Sequence, residues 1–335
     1  MKQVKAALVG YGWWGRKIAS LVAGAGEGIA IEVIVEPGDQ ARAEAEGAGF
    51  RTVATLDEAL AMASVEAVIL ATPHRFHTDQ VRAAAEAGKH VFCEKPLALT
   101  GDEAAASADL CAARGLVLAI GHERRFEPAV AALLADAAAG RLGRLMQIEA
   151  NFSHDKFVGL AADNWRLDKA SAPLAGMTAT GIHLTDLAIA LFGAPASVHA
   201  YCAQLASGIP QGDTLGAHIT FRDGGTAYVA ASLGYPFVSR FALYGSKGWV
   251  EIRDKSHVEA PTGWLILRSG EGGATVMEEV PPAEAVIANL EAFAAAIRGE
   301  RTYPIPTADM VANTRLLEAM MRSVETGDAV RIGAR

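Results

Sequence analysis

Apolar residues along this chain follow two different rhythms. Up to about residue 121 they form short unbroken runs: Val4–Val9, Ile31–Val35 (opened by Ile29), Ala67–Ala71, His90–Cys93 and Val117–Gly121. Runs of this length suit strands buried on both faces. The Ala-rich segments between them predict helices at about Arg16–Ala25, Gln40–Ala48, Leu56–Ala61, Thr78–Ala87 and Thr100–Arg114. Thr55 with Glu58, and Thr100 with Glu103, stand in the relation of a capping box. Regular strand–helix alternation predicts a parallel sheet covered by helices on both faces. After Arg125-Phe-Glu-Pro128 the rhythm changes. A helix at about Ala129–Ala139 precedes strands with hairpin spacing at Leu145–Phe152, Ser197–Leu205, Leu215–Arg222, Thr226–Leu233, Arg240–Tyr244 and Trp249–Arg253. Asp223-Gly224 marks a hairpin turn, and further helices are expected at about Thr180–Leu191, Glu284–Arg298 and Ala308–Thr326.

These patterns predict an α/β chain of two domains. Residues 1–122 form a doubly wound parallel sheet. Residues 123–335 form an α+β domain with a largely antiparallel open sheet, its last helices packing back on the first domain. A length of 335 residues agrees with two domains. The net charge of −8 excludes the basic face that nucleic acid requires. No apolar run approaches the roughly 20 residues needed to cross a bilayer, so no membrane partner is expected. The first strand starts at about Gln3, too early for a signal peptide, and a cytoplasmic location is expected. Cys93, Cys111 and Cys202 have no metal-type or CxxC spacing and read as reduced packing residues.

The turn after the first strand carries the chemistry. Gly10-Tyr-Gly-Trp-Trp-Gly15 follows a buried strand and opens a helix, the context in which G-x-G-x-x-G binds a dinucleotide in a Rossmann unit. Gly10 permits the tight turn, Gly12 lets backbone approach a pyrophosphate, and Gly15 lets helix pack on strand. Trp14 is expected in the core, with Trp13 facing the ligand. Glu36 ends the second strand, 21 residues after Gly15, a spacing suited to an acid that accepts ribose hydroxyls. Its charge repels a 2′-phosphate, and the next arginine is Arg42, so NAD is expected over NADP.

A second motif, Gly88-Lys-His-Val-Phe-Cys-Glu-Lys-Pro-Leu97, delivers Glu94-Lys95-Pro96 to the carboxyl end of the parallel sheet, where such folds bind ligands. The tripeptide reads equally as a solvated turn or as a lysine aimed at a substrate oxygen. Taken with Ala71-Thr-Pro73 and His77, Arg124-Arg-Phe-Glu-Pro128, Asn164-Trp-Arg166 and Gly181-Ile-His-Leu-Thr-Asp186, the chain resembles the Gfo/Idh/MocA oxidoreductases, the family of glucose–fructose oxidoreductase and inositol dehydrogenases.

The resemblance implies NAD or NADP, a sugar, cyclitol or related hydroxy substrate, a cis Lys95–Pro96 bond and a homodimer or homotetramer. It places Thr72, Pro73, His77, Glu94, Lys95, Trp165 and Arg166 with Gly10, Gly12, Trp13, Trp14, Gly15 and Glu36 at the dinucleotide. Lys95 and His183 are the catalytic candidates, and His122, Arg124 and Arg166 join them at the substrate. Arg124 could instead buttress the domain junction, Arg166 could be an ion-pair partner, and His122 could be a turn residue.

One departure stands out. Many catalytic members place Asp four residues before the His, whereas here that residue is Ala179. His74 and His77 have metal-like spacing but no completing ligand, and no metal is expected. His154-Asp155 follows a strand and could meet substrate. The leading expectation is a dehydrogenase or ketoreductase. A lyase or glycosidase that retains its NAD, and a non-catalytic dinucleotide-binding sensor, are the alternatives.

Overall fold

The apolar runs of the first third become a six-stranded parallel sheet in the computed structural model, which describes residues 2–174, 176–270 and 273–333. The elements are β1 (Val4–Val9), α1 (Trp13–Ala25), β2 (Ile29–Val35), α2 (Asp39–Gly47), β3 (Thr52–Val53), α3 (Leu56–Leu60), β4 (Ala67–Leu70), α4 (His77–Glu86), β5 (His90–Cys93), α5 (Gly101–Ala113) and β6 (Leu118–Ile120). Their order in the sheet is β3-β2-β1-β4-β5-β6, all parallel. The direction of winding reverses between β1 and β4, which opens a crevice at the carboxyl ends of these strands. Residues such as Ala7, Leu8, Val33, Ile34, Val68 and Ile69 are buried completely, as strands covered on both faces must be. Both capping boxes form, Thr55 with Glu58 on α3 and Thr100 with Glu103 on α5. The edge strand β3 was not expected, because two residues are too short to show a period.

The second fold unit begins with α6 (Pro128–Ala138) and β7 (Leu145–Ser153). It continues through α7 (Ile182–Phe192), β8 (Pro195–Ala203), β9 (Thr214–Phe221), β10 (Thr226–Ser232), β11 (Val238–Gly245), β12 (Gly248–Asp254), β13 (Trp264–Ser269) and β14 (Thr275–Val280). The chain then enters α8 (Ala285–Ile297), α9 (Thr307–Thr326) and β15 (Val330–Arg331). The sheet runs β14-β13-β12-β11-β7-β10-β9-β8-β15. Every neighbouring pair is antiparallel except β7 with β10. Sequence reading misses β13, β14 and β15. β14 is exposed along nearly its whole length, so it has no buried face to impose an alternation, and β15 has only two residues. One face of the sheet buries Ile148, Ala150, Ile219, Val229, Phe241 and Leu243 against Leu187, Ile189, Leu316 and Met320 of α7 and α9. The other face leaves Tyr201 and Tyr228 exposed.

The first unit comprises Met1–Glu123 and Ala285–Val311, and the second Arg124–Glu284 and Ala312–Arg335. The first is therefore discontinuous in sequence. Its late segment is fastened by polar bonds: Glu291 accepts the Gly28 N–H at 2.9 Å, Arg298 donates to the Gly28 carbonyl at 2.9 Å, and Asn289 and Tyr303 both donate to the Ile120 carbonyl. Among the described residues no helix is long and apolar enough to cross a membrane.

Asp213 shows how the second unit fixes its loops. Its buried carboxylate accepts the backbone N–H groups of Leu205, Ala206 and Ser207 at 3.0, 2.8 and 2.6 Å and the Thr214 hydroxyl at 2.9 Å. Burial alone would raise its pKa, but these donors hold the carboxyl well below the usual range. A depressed pKa adds stability above the unfolded value of about 3.9 that is lost as pH falls toward the folded one. Asp213→Asn should therefore lower stability by about 2 kcal/mol at neutral pH. In thermal unfolding scans the gap from wild type should narrow below about pH 4; a gap that stays constant with pH would contradict this account.

Candidate functional site

In the first unit the site begins at the turn from β1 to α1. Gly10 has φ +93°, and a Cβ there would lie 2.8 Å from the Ala71 carbonyl oxygen. A Cβ on Gly15 would come within 2.0 Å of the Gly10 oxygen, so only glycine lets α1 start this close to the strand. Gly12 faces open space. Unlike α3 and α5, α1 has no side-chain cap and no acidic residue in its first turn. No side chain of the cap position competes there with an anion, which the positive end of the helix dipole favours. The Glu36 carboxylate accepts the N–H groups of Tyr11 at 2.8 Å and Gly38 at 2.9 Å, which holds it beside this turn. Arg42 folds back onto the Glu36 carbonyl at 3.0 Å. An uncapped, glycine-lined helix start with an acid at the end of the neighbouring strand fits a dinucleotide.

The ends of β4 and β5 supply the next group. Thr72 donates to Gln80 at 2.5 Å, and Pro73 follows it. His77, expected at the dinucleotide, is instead fully buried. Its Nδ1 lies 2.6 Å from the Pro96 carbonyl oxygen and its Nε2 3.0 Å from that of Thr72. Burial favours the neutral ring, whose single N–H donates to one of these carbonyls, and His77 packs the Thr72 turn against the strand end that carries Lys95. The Lys95–Pro96 bond is cis, as the resemblance implied. Glu94 is buried. Burial pushes its carboxyl up, opposed by the Lys95 charge and by the Trp14 N–H. Trp14 is half-buried rather than enclosed in the core, and its Nε1 donates to Glu94 Oε1 at 2.7 Å. Trp13 is exposed. His122 is buried just past β6. Burial, with the Glu94 charge, pushes the Cys93 thiol well up, so it packs as an inert group.

In the second unit, strand register gathers a separate set. The loops beginning at His154, Gln204, Leu233 and Lys255 all leave one end of the sheet, as the pairings Ser153 with Val238, Thr214 with Ser232, Ala203 with Thr214 and Asp254 with Trp264 require. His183 stands at the start of α7, behind a π-helical turn at Met177–Gly181 where a regular helix from Thr180 was expected. Such turns recur at functional sites because they re-aim side chains. This one is held from two sides. Thr180 donates to the Phe152 carbonyl at 2.6 Å, and Asn313 of α9 donates to the Ile182 carbonyl at 3.0 Å.

The His183 ring lies 6.4 Å from Phe152, whose ring is 5.7 Å from His257, which is 5.6 Å from His154. His257 also reaches Glu259 at 2.9 Å, with Lys156 bonded to the same carboxylate oxygen. Burial opposes ionisation of Glu259, yet bonds from His257 and Lys156 hold its pKa at about 2. His257, Glu259 and Phe237 were missed in the sequence because no motif joins them. Only the register of β11 and β12 brings Phe237 and His257 beside Phe152, and Glu259 joins them through His257.

Ala179 packs with Phe157, Leu167, Ile209 and Leu233, an apolar setting. Asp186 does not stand in for an acid there: its buried carboxylate is held by Arg125 at 2.7 and 2.8 Å. Arg124, expected among the substrate ligands, belongs to the interior. It donates to Asp254 at 2.8 and 3.1 Å and to Ser239 at 2.9 Å, 5.4 Å from the Phe152 ring centre. Its charge is met by these partners and by Glu127, which makes it a buttress. Arg166 stacks over Trp165 at 4.5 Å, and its carbonyl accepts from Gln211 at 2.8 Å. Among the described residues no group of His, Cys, Asp and Glu could hold a metal.

Comparison with known proteins now assigns the family. Residues 4–122 match the model described as oxidoreductase family, NAD-binding Rossmann fold, and residues 130–251 match the GFO/IDH/MocA C-terminal domain. D-xylose 1-dehydrogenase (NADP(+)) 2 of Haloferax volcanii is 32% identical over 299 residues, covering 88% of this chain and 90% of its own. 1,5-anhydro-D-fructose reductase of Ensifer adhaerens is 29% identical over 290 residues, 84% of each chain. The structure of aldose-aldose oxidoreductase from Caulobacter crescentus, complexed with glycerol, is similar with a TM-score of 0.85 at 25% identity, covering 98% of this chain and 100% of that one. The chain belongs to the Gfo/Idh/MocA family of NAD(P)-dependent oxidoreductases.

Proposed function

We propose that this protein is a dehydrogenase or reductase that exchanges a hydride between NAD and a secondary alcohol or ketone of a small polyhydroxylated compound, a sugar or cyclitol. The observation that carries this reading is the uncapped, glycine-lined start of α1 in the same unit as a lysine at the carboxyl end of β5. A sugar-type substrate is supported by the names of the relatives, which act on D-xylose and 1,5-anhydro-D-fructose.

The nicotinamide, when bound, supplies the hydride exchange. The first N–H groups of α1 would hold the pyrophosphate, and Glu36 would accept ribose hydroxyls. Lys95 presents its ammonium to the reacting oxygen and stabilises the negative charge that develops there. His183 acts as the acid–base partner, because an imidazole can both give and take a proton. Trp165 and Arg166 contact cofactor or substrate, His122 remains a candidate substrate contact, and His154 and His257 offer ring nitrogens to hydroxyl groups. With Ala179 in an apolar setting, the proton work falls to Lys95 and His183. We also infer a cytoplasmic homodimer or homotetramer that covers the open face of the second sheet.

The primary test is a screen of sugars, 1,5-anhydro-D-fructose, inositols, uronates and dihydrodiols with NAD and NADH, following cofactor absorbance alongside product analysis. Turnover with no net change in NADH would favour the cofactor-retaining lyase or glycosidase, and NADH binding without turnover would favour the sensor. On the substrate so found, Lys95→Ala should lower kcat/KM by about 10²–10⁴ while NADH affinity stays within about threefold; activity near wild type would remove Lys95 from the mechanism. Glu36→Gln removes the charge that disfavours a 2′-phosphate, and the ratio of kcat/KM for NADP to that for NAD should rise at least about tenfold. If wild type already prefers NADP, the assignment of Glu36 fails. The double variant Tyr201→Glu, Tyr228→Glu should shift sedimentation toward a monomer, and an unchanged oligomer would place the interface elsewhere.

A further inference from the structure

Trp14 and Glu94 form a bond that a nucleotide loop does not need for its own sake. Phosphate binding uses backbone N–H groups, so the side chain at position 14 is free to serve something else. Trp14 lies in the first turn of α1, directly after β1, whereas Glu94 follows β5. The sheet order places β4 between those two strands. The indole therefore reaches over the carboxyl end of β4, across the crevice where the winding reverses. Its Nε1 meets Glu94 Oε1 at 2.7 Å. The other carboxylate oxygen accepts the Lys95 backbone N–H at 3.3 Å. One carboxylate thus joins the start of α1 to the backbone of the lysine.

Three further observations show that this carboxylate is held in a built place. Glu94 is buried, with 7% of its surface exposed, so a lost donor is not replaced freely by water. Its own N–H is bonded to the Leu70 carbonyl at 2.9 Å, which fixes its backbone to β4. Its oxygens also occupy the place of a side chain on Gly121, since a Cβ there would lie 2.4 to 2.5 Å from the carboxylate. A glycine at the end of β6 is the condition for the tie.

We propose that Trp14 is a positioning residue for Lys95: its indole N–H anchors Glu94, so that a dinucleotide seated on the start of α1 is felt at the lysine-bearing end of β5. This rests on the reading of Lys95 given above and adds a residue to it. Binding and chemistry then separate. Removing the indole N–H leaves the backbone donors of α1 in place but loosens the carboxylate that holds the Lys95 N–H, and small displacements of a catalytic group are costly to rate.

The test compares wild type, Trp14→Phe, which keeps an aromatic ring without the N–H, and Glu94→Gln, which keeps an acceptor oxygen without the charge. In ¹H–¹⁵N spectra of the full chain, the Trp14 indole signal is the one of five tryptophan signals that Trp14→Phe abolishes. It should move in Glu94→Gln, and it should move in wild type on addition of NADH. On the substrate from the screen, Trp14→Phe should bind NADH within about threefold of wild type and lose at least about tenfold in kcat.

An indole signal insensitive to both Glu94→Gln and NADH overturns the proposal, as does an unchanged kcat in Trp14→Phe. Either result leaves the oxidoreductase reading standing, provided wild type binds NADH and turns over. Wild type that fails to bind NADH would instead sink both. If Trp14→Phe does not fold, the indole signals are assigned through their own backbone correlations, and the response to Glu94→Gln and to NADH decides.

Discussion

The close approach of Gly15 to Gly10 sets the geometry on which the first unit depends. A methyl group on Gly15 would sit 2.0 Å from the Gly10 oxygen, well inside any tolerable contact. Because that space is empty, α1 starts almost on top of β1, and its first N–H groups point outward beyond the carboxyl end of the sheet. The helices α3 and α5 satisfy the same kind of groups with threonine capping boxes. At α1 there is no side-chain cap, so the helix retains an electrostatic demand that an anion meets. Glu36, Trp14 and Lys95 all take their meaning from that demand: one acid stands beside the turn, one indole ties it to the end of β5 across β4, and one ammonium is carried on that same strand end.

The second unit solves a different problem, that of holding polar groups inside an apolar layer. Arg124 with Asp254 and Arg125 with Asp186 are successive arginines, each paired with an acid far along the chain. Buried pairs contribute little net stability, but losing one partner costs about 3–5 kcal/mol, so they enforce a single arrangement. That arrangement joins the segment opening the unit to α7 and to the end of β12, the elements that flank Phe152. His183 gains its definition from the same neighbourhood, through the π-helical turn, the Thr180 bond to Phe152 and the Asn313 bond to Ile182. Preorganisation of this kind is what a general acid or base needs.

Motifs proved most informative where chemistry is local. The capping boxes, the glycine turn, the acid after β2 and the Glu94-Lys95-Pro96 strand end could be read in the chain because each acts over a few residues or at a fixed spacing. His77 shows the limit of such reading. The resemblance placed it at the dinucleotide with Thr72 and Pro73, yet its two ring nitrogens lie against the carbonyls of Thr72 and Pro96, a fact of folding over 19 residues that no motif states. Arg124 shows the same limit, since its partner Asp254 lies 130 residues away.

The sequence alone determined the two rhythms of apolar residues, and with them a parallel sheet followed by a largely antiparallel one, because burial on two faces or on one leaves a direct trace in residue order. It also determined the dinucleotide turn, since only glycine tolerates those approaches. Tertiary structure decided which polar groups are spent and which remain for a ligand. It buried His77 and Arg124, bound Trp14 to Glu94, set Ala179 among apolar neighbours, and gathered His154, His183 and His257 around Phe152. Those outcomes depend on strand register and on desolvation, which are properties of segments distant in the chain meeting in space.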